Sequence, residues 1–170
     1  MMKESSKRLA KSGIMLAILM VLLYLKTILN VYQIAFYFIA SLIPMIIISD
    51  SGYKEGIKFI IASFVLSLVL PVEKLSLLLF YTLFGIYPLI KYFVEKIKSL
   101  IVLNLVKLVY ISLVFFLNYY LASMFLNILP KIMLEYNMWL VFGLTVIAFF
   151  LYDYALTRFF TYYQKRKKGF

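Results

Sequence analysis

The sequence predicts an all-α polytopic membrane protein: a six-transmembrane-helix bundle, with residues 1–170 as a single integral-membrane domain and both termini cytoplasmic. Three observations lead there. The chain is 65% hydrophobic with a mean hydropathy of +1.00, more apolar surface than a soluble domain of this length can bury, so its natural solvent is lipid. The apolar residues come in runs close to the ~20 residues that a helix needs to cross a bilayer. The basic residues gather in alternate turns.

The first span is expected over Ser12–Asn30, after a short basic tail. It reads as an uncleaved signal anchor, because no small-residue cleavage site follows the apolar run. Lys26 lies late enough to snorkel to the far interface. The second span covers Tyr32–Ser49, with Pro44 as a kink point. Asp50-Ser51-Gly52-Tyr53-Lys54-Glu55-Gly56 is a polar turn with two glycines. The third span, Ile57–Leu70, is short, and Ala62, Ser63 and Ser67 are spaced to face a neighbouring helix. Pro71 ends it. The fourth span, Leu75–Phe93, carries Gly85-Ile86-Tyr87-Pro88, which should bend it or open it locally. The fifth span is Leu100–Leu126, followed by a loop from Asn127 to Asn137. The sixth runs from Met138 to Phe160 and ends in a basic and aromatic tail.

Orientation follows from counting charges. Fourteen of the 18 Lys and Arg residues fall on the side of the termini and three on the other, with Lys107 inside the fifth span. That bias places both termini in the cytoplasm and makes the chain a multi-pass protein of the cell membrane. The net charge of +11 therefore serves orientation and contact with anionic lipids, not nucleic acid. Cysteine and histidine are absent, which excludes disulfides, thiol nucleophiles, Cys/His metal sites and imidazole chemistry. No metal or cofactor is expected. Sequence signatures of an enzyme are missing, and the chain reads as non-catalytic.

Three residue sets stand out. Lys107 and Asp153 lie at similar depths in consecutive spans. A buried ion pair between them would offset the cost of each charge in the membrane, although Arg158 or Lys91 are alternative partners for Asp153. On the outer side Tyr24, Tyr81, Asn118, Tyr119 and Trp139 offer aromatic walls with few polar groups, which suits a small organic ligand but equally an interfacial aromatic belt. Asn118 lies deeper than a belt, as a helix–helix hydrogen bond or a ligand contact. Ala10, Gly13 and Ala17 step by three and four and so share one helix face, open to close packing inside the bundle or against another membrane protein.

Six spans in a chain of this length, the small-residue ridge of span 1, the glycine-bearing turn before span 3 and the proline after it resemble the substrate-binding S components of energy-coupling-factor transporters. The resemblance implies an uptake subunit for a vitamin-like small-molecule substrate, bound from the outside. It also implies partners, a transmembrane coupling subunit and its associated ATPases. Gly13 and Ala17 match the family's docking motif, with Ala10 one step earlier. The first outer loop is shorter than in that family. The alternative is a small non-catalytic scaffold or assembly subunit with its outer side packed shut.

Overall fold

The computed structural model describes residues 2–29, 33–126 and 137–168. All elements among these residues are helical: α1 (Met2–Ile28), α2 (Gln33–Ser51), α3 (Tyr53–Ser67), α4 (Lys74–Leu79), a π-helical segment (Phe80–Gly85), α5 (Tyr87–Val94), α6 (Leu100–Leu126) and α7 (Met138–Lys168). Five stretches are long and apolar enough to cross a membrane: Ser6–Ile28, Ile34–Ser51, Lys74–Val94, Leu100–Leu121 and Met138–Arg166. The expected loop at 127–136 lies outside the described residues.

The chain forms two compact units, Met1–Tyr92 and Phe93–Phe170. In the first, side-chain ties set the direction of every helix. Lys11 pairs with Asp50, so the start of α1 meets the end of α2. Lys26 lies over the Tyr37 ring, 5.3 Å from its centroid, so the other two ends also meet. Tyr53 at the start of α3 stacks on Tyr92 at the end of α5, with centroids 6.0 Å apart. Ser76 at the start of α4 hydrogen-bonds Lys26 and Tyr37. The chain therefore passes from the Asp50 end to the Ser76 end through α3 and its following turn. The 15 residues of α3 rise ~22 Å. That is the rise of α1 between Lys11 and Lys26, and less than the ~30 Å of a bilayer core.

Two glycines make the α2–α3 hairpin tight. Gly52 has φ +90°, where a side chain is strained. At Gly56 a β-carbon would come within 2.4 Å of the Ile48 side chain, so Ile48 packs directly on the α3 backbone there. The core of this unit packs Leu19, Leu23, Ile43, Ile47, Phe59, Ile60, Leu77 and Phe80. The expected opening near Gly85 takes the form of the π segment, where Ile86 N–H donates to the Tyr81 carbonyl at 2.9 Å. Pro88 supplies no N–H and its ring disfavours a continuous α-helix through residue 84. The helix restarts instead, with Pro88 in the first turn of α5, where its missing donor costs nothing.

In the second unit α6 and α7 form an antiparallel pair tied by Lys107 and Asp153. Both helices keep long apolar faces outward, including Ile101, Leu105 and Leu113 on α6 and Leu140, Leu144, Ile147 and Leu151 on α7. Apolar faces this long are stable against lipid and not against water. Both terminal helices outrun their expected spans. The basic tail is the first part of α1 and the final basic run lies within α7, since neither contains the Gly or Pro that would break a helix.

Candidate functional site

The buried face of α1 steps through Leu16, Leu19, Leu23 and Lys26, at intervals that hold one helical stripe. Lys26 therefore points into the bundle with its apolar neighbours. It is 4% exposed and does not snorkel as its position in the sequence suggested. Tyr37 reaches it from α2, on the face shared with Ala40 and Ile47. Ser76 reaches it from the first turn of α4.

The three side chains form one network. The Lys26 ammonium donates to Ser76 Oγ and sits over the Tyr37 ring. The Tyr37 hydroxyl donates to the Ser76 carbonyl at 2.8 Å and lies 2.5 Å from Ser76 Oγ. Among the described residues no carboxylate pairs with Lys26. An ammonium taken from water without a counter-charge costs several kcal/mol, only partly offset by one hydroxyl and one ring face. Phe80 and Phe84 wall the site, their centroids 5.4 and 5.7 Å from that of Tyr37.

Below this network the π segment turns Tyr81 inward. Tyr81 is buried, edge-on to Phe64 at 5.1 Å, and flanked by Ser63 and Ser67. Its hydroxyl forms no hydrogen bond, while the two serines donate to carbonyls of their own helix, Ile60 and Phe64.

The residues singled out from sequence are distributed over both units. In the first unit Tyr81 is in the core, while Tyr24 is 43% exposed, two turns beyond Ala17 on the outward face of α1. Ala10, Gly13 and Ala17 are all exposed, and a β-carbon at Gly13 would meet nothing within 4 Å. The ridge is not used for packing among the described residues.

In the second unit Lys107 Nζ lies 2.5 Å from Asp153 Oδ2, with both side chains under 10% exposed. Arg158 instead lies over Tyr154 and donates to its hydroxyl at 2.9 Å. Asn118 is buried and donates to the Val114 carbonyl of its own helix at 2.8 Å. Tyr119 is half-buried and Trp139 is 72% exposed. The Asn137 side chain accepts the Trp139 N–H at 3.0 Å, which caps the start of α7.

Sequence reasoning missed Tyr37 and Ser76. Only the phase of Lys26 on the stripe of α1 pointed to a polar contact within the bundle. The donors gathered at Lys26 suit an anionic group; no group of three metal-ligating side chains occurs among the described residues.

No protein-family model, no curated protein and no solved structure matches this chain.

Proposed function

We propose that the chain is a membrane-embedded, non-catalytic substrate-binding subunit of the energy-coupling-factor type. It crosses the membrane six times with both termini cytoplasmic and docks through α1 onto a coupling subunit. The observation that carries this reading is the outward face of α1. Ala10, Gly13 and Ala17 are exposed and Gly13 has open space above it. Ile14, Ile18 and Val21 flank them, also exposed. In lipid, such a groove of small residues gains more from a second helix than from acyl chains, because two backbones can approach closely along it.

Supporting the topology, the ties at both ends of the first unit send α3 from the Asp50 end to the Ser76 end. The 14-to-3 charge bias supports the orientation, and exposed Lys165 and Arg166 suit anionic headgroups. A short third span is accommodated by local bilayer thinning at modest cost.

The test is co-purification of the tagged chain from its native membrane. The wild type brings down a coupling subunit and ATPases, read as ATP hydrolysis in the eluate. Gly13→Leu with Ala17→Leu abolishes it while the variant still elutes as a folded monomer. Undiminished ATPase recovery with the double variant, or none with the wild type, overturns the proposal. The scaffold reading is favoured by the Tyr81 side chain lying packed in the core; it predicts a partner but no retained ligand.

A further inference from the structure

The geometry points to a binding site for an oxyanion, a carboxylate or phosphate carried on an apolar body, at Lys26, Ser76 and Tyr37. The inference names the substrate class for the binding subunit proposed above and rests on that reading only for its biological role. The site itself stands on its own geometry.

An ammonium has three donors. Lys26 directs one to Ser76 Oγ, and among the described residues no protein acceptor takes the other two. The side chain is 4% exposed, so bulk water does not take them freely either. A lysine this near the end of a membrane helix has a cheap alternative, to extend toward the interface. It is instead drawn inward by a hydroxyl and held over a ring. Such an arrangement leaves positive charge without a partner, at a place where unscreened charge attracts strongly.

The neighbours fit the same occupant. Ser76 and Tyr37 bring two hydroxyls within 2.5 Å of each other; the Tyr37 proton goes to the Ser76 carbonyl, which leaves the Ser76 hydroxyl able to turn its proton toward an oxyanion beside the ammonium. The three groups come from α1, α2 and α4, so the site forms only when the first unit is folded. Tyr37, Phe80 and Phe84 form a tilted ring cluster behind it, an apolar wall that excludes water and favours an aromatic or aliphatic body. This distinguishes the site from Lys107, whose charge is already met by Asp153. It also distinguishes it from Lys11, which is paired with Asp50 and is 44% exposed.

An oxyanion could come from a free solute or from a lipid headgroup. The experiment separates the two. The full chain is purified in a neutral maltoside detergent. Benzoate and inorganic phosphate are titrated calorimetrically, and retained phosphatidylglycerol is counted by native mass spectrometry after reconstitution into, and extraction from, mixed phosphatidylcholine–phosphatidylglycerol vesicles. The wild type is expected to bind at least one of the three. Lys26→Met weakens that binding by about tenfold or more, the loss expected for charge-assisted hydrogen bonds, while Lys26→Arg keeps most of it. Binding of benzoate or phosphate without lipid retention assigns a solute site, and the reverse pattern assigns a lipid site.

Should Lys26→Met not elute as a single folded species, Ser76→Ala carries the same comparison with a loss of about threefold or more. Equal binding by the wild type and the charge-removed or serine-removed variant, or no binding of any probe by the wild type, overturns the inference. Partner recovery through α1 is unaffected by the Lys26 variants, and anion binding is unaffected by Gly13→Leu, so the two proposals fail separately.

Discussion

Removing the charge of Asp153 should cost this protein about 3 kcal/mol of stability, and removing Lys107 as well should return most of it. Lys107 lies seven residues into α6 from Leu100, ~10 Å along the axis. At the 2.5 Å separation from Asp153, two unit charges attract by ~7 kcal/mol at an effective dielectric of 20. Desolvation takes back several kcal/mol for each ion, so the intact pair contributes little net stability. The asymmetry lies in breaking it. Asp153→Asn leaves an ammonium at that depth with an amide for company, at a cost of about 3 kcal/mol. Lys107→Met removes the ammonium that faces the Asp153 carboxylate, at a similar cost. The double variant has no charge left to desolvate and should stand within about 1.5 kcal/mol of the wild type, the difference being an amide that needs a partner. Thr157 already donates to the Asp153 carbonyl at 2.9 Å, so the local backbone is not released by either change. The assay is unfolding by a denaturing detergent titrated into mild micelles, followed by circular dichroism. A single variant at about 3 kcal/mol shifts the folded ratio more than a hundredfold. Additive single and double variants, or a double variant worse than either single, would refute the pairing argument.

Three further outcomes follow from the first unit. Gly52→Ala places a side chain at φ +90° and should lower stability by about 1–2 kcal/mol, read as a fall in melting temperature in micelles. Gly56→Leu drives a large side chain into Ile48, which a β-carbon alone would already approach to 2.4 Å; a loss of about 3 kcal/mol is expected, and an unchanged transition would mean that α2 and α3 are not closely packed. Tyr81→Phe removes a buried hydroxyl that makes no hydrogen bond and should be neutral or stabilising by up to about 1 kcal/mol. A clear destabilisation would show that the hydroxyl is engaged with Ser63 or Ser67.

The helices were legible because each is an apolar run bounded by charge, glycine or proline. The expected fifth span, α6 over Leu100–Leu126, could be read to its terminal residues because Lys98-Ser99 and Asn127 bracket it in the sequence. The local opening near Gly85 was legible because a proline in mid-helix leaves a carbonyl without its donor. Its π form was not, since which residue absorbs the extra turn depends on packing. Lys107 and Asp153 are readable as neighbours, because equal depth on consecutive antiparallel helices leaves little freedom. Lys26, Tyr37 and Ser76 are not, as their meeting depends on the path of α3. The third helix has 15 residues and hydropathy alone does not resolve its direction. The ligand set read from sequence grouped residues by depth, and depth says nothing of azimuth. Tyr24 and Tyr81 share a band of the membrane, yet one faces outward and the other lies in the core.

Lys26 and Lys107 are buried lysines with opposite surroundings. In the second unit the buried lysine meets a carboxylate on the adjacent helix, the cheapest arrangement available to a charge in lipid. Nothing would be gained there by binding a ligand, since an anion would first have to displace Asp153. In the first unit a lysine of the same kind is buried with a serine and a tyrosine. A leucine at position 26 would extend the Leu19–Leu23 stripe and avoid the desolvation cost altogether. A structural role does not account for the choice of lysine, because Ser76 and Tyr37 already bond each other without it. Among the described residues the Lys26 ammonium meets only a hydroxyl and a ring face, which is why the cost of burying it is the observation that the anion-binding inference rests on.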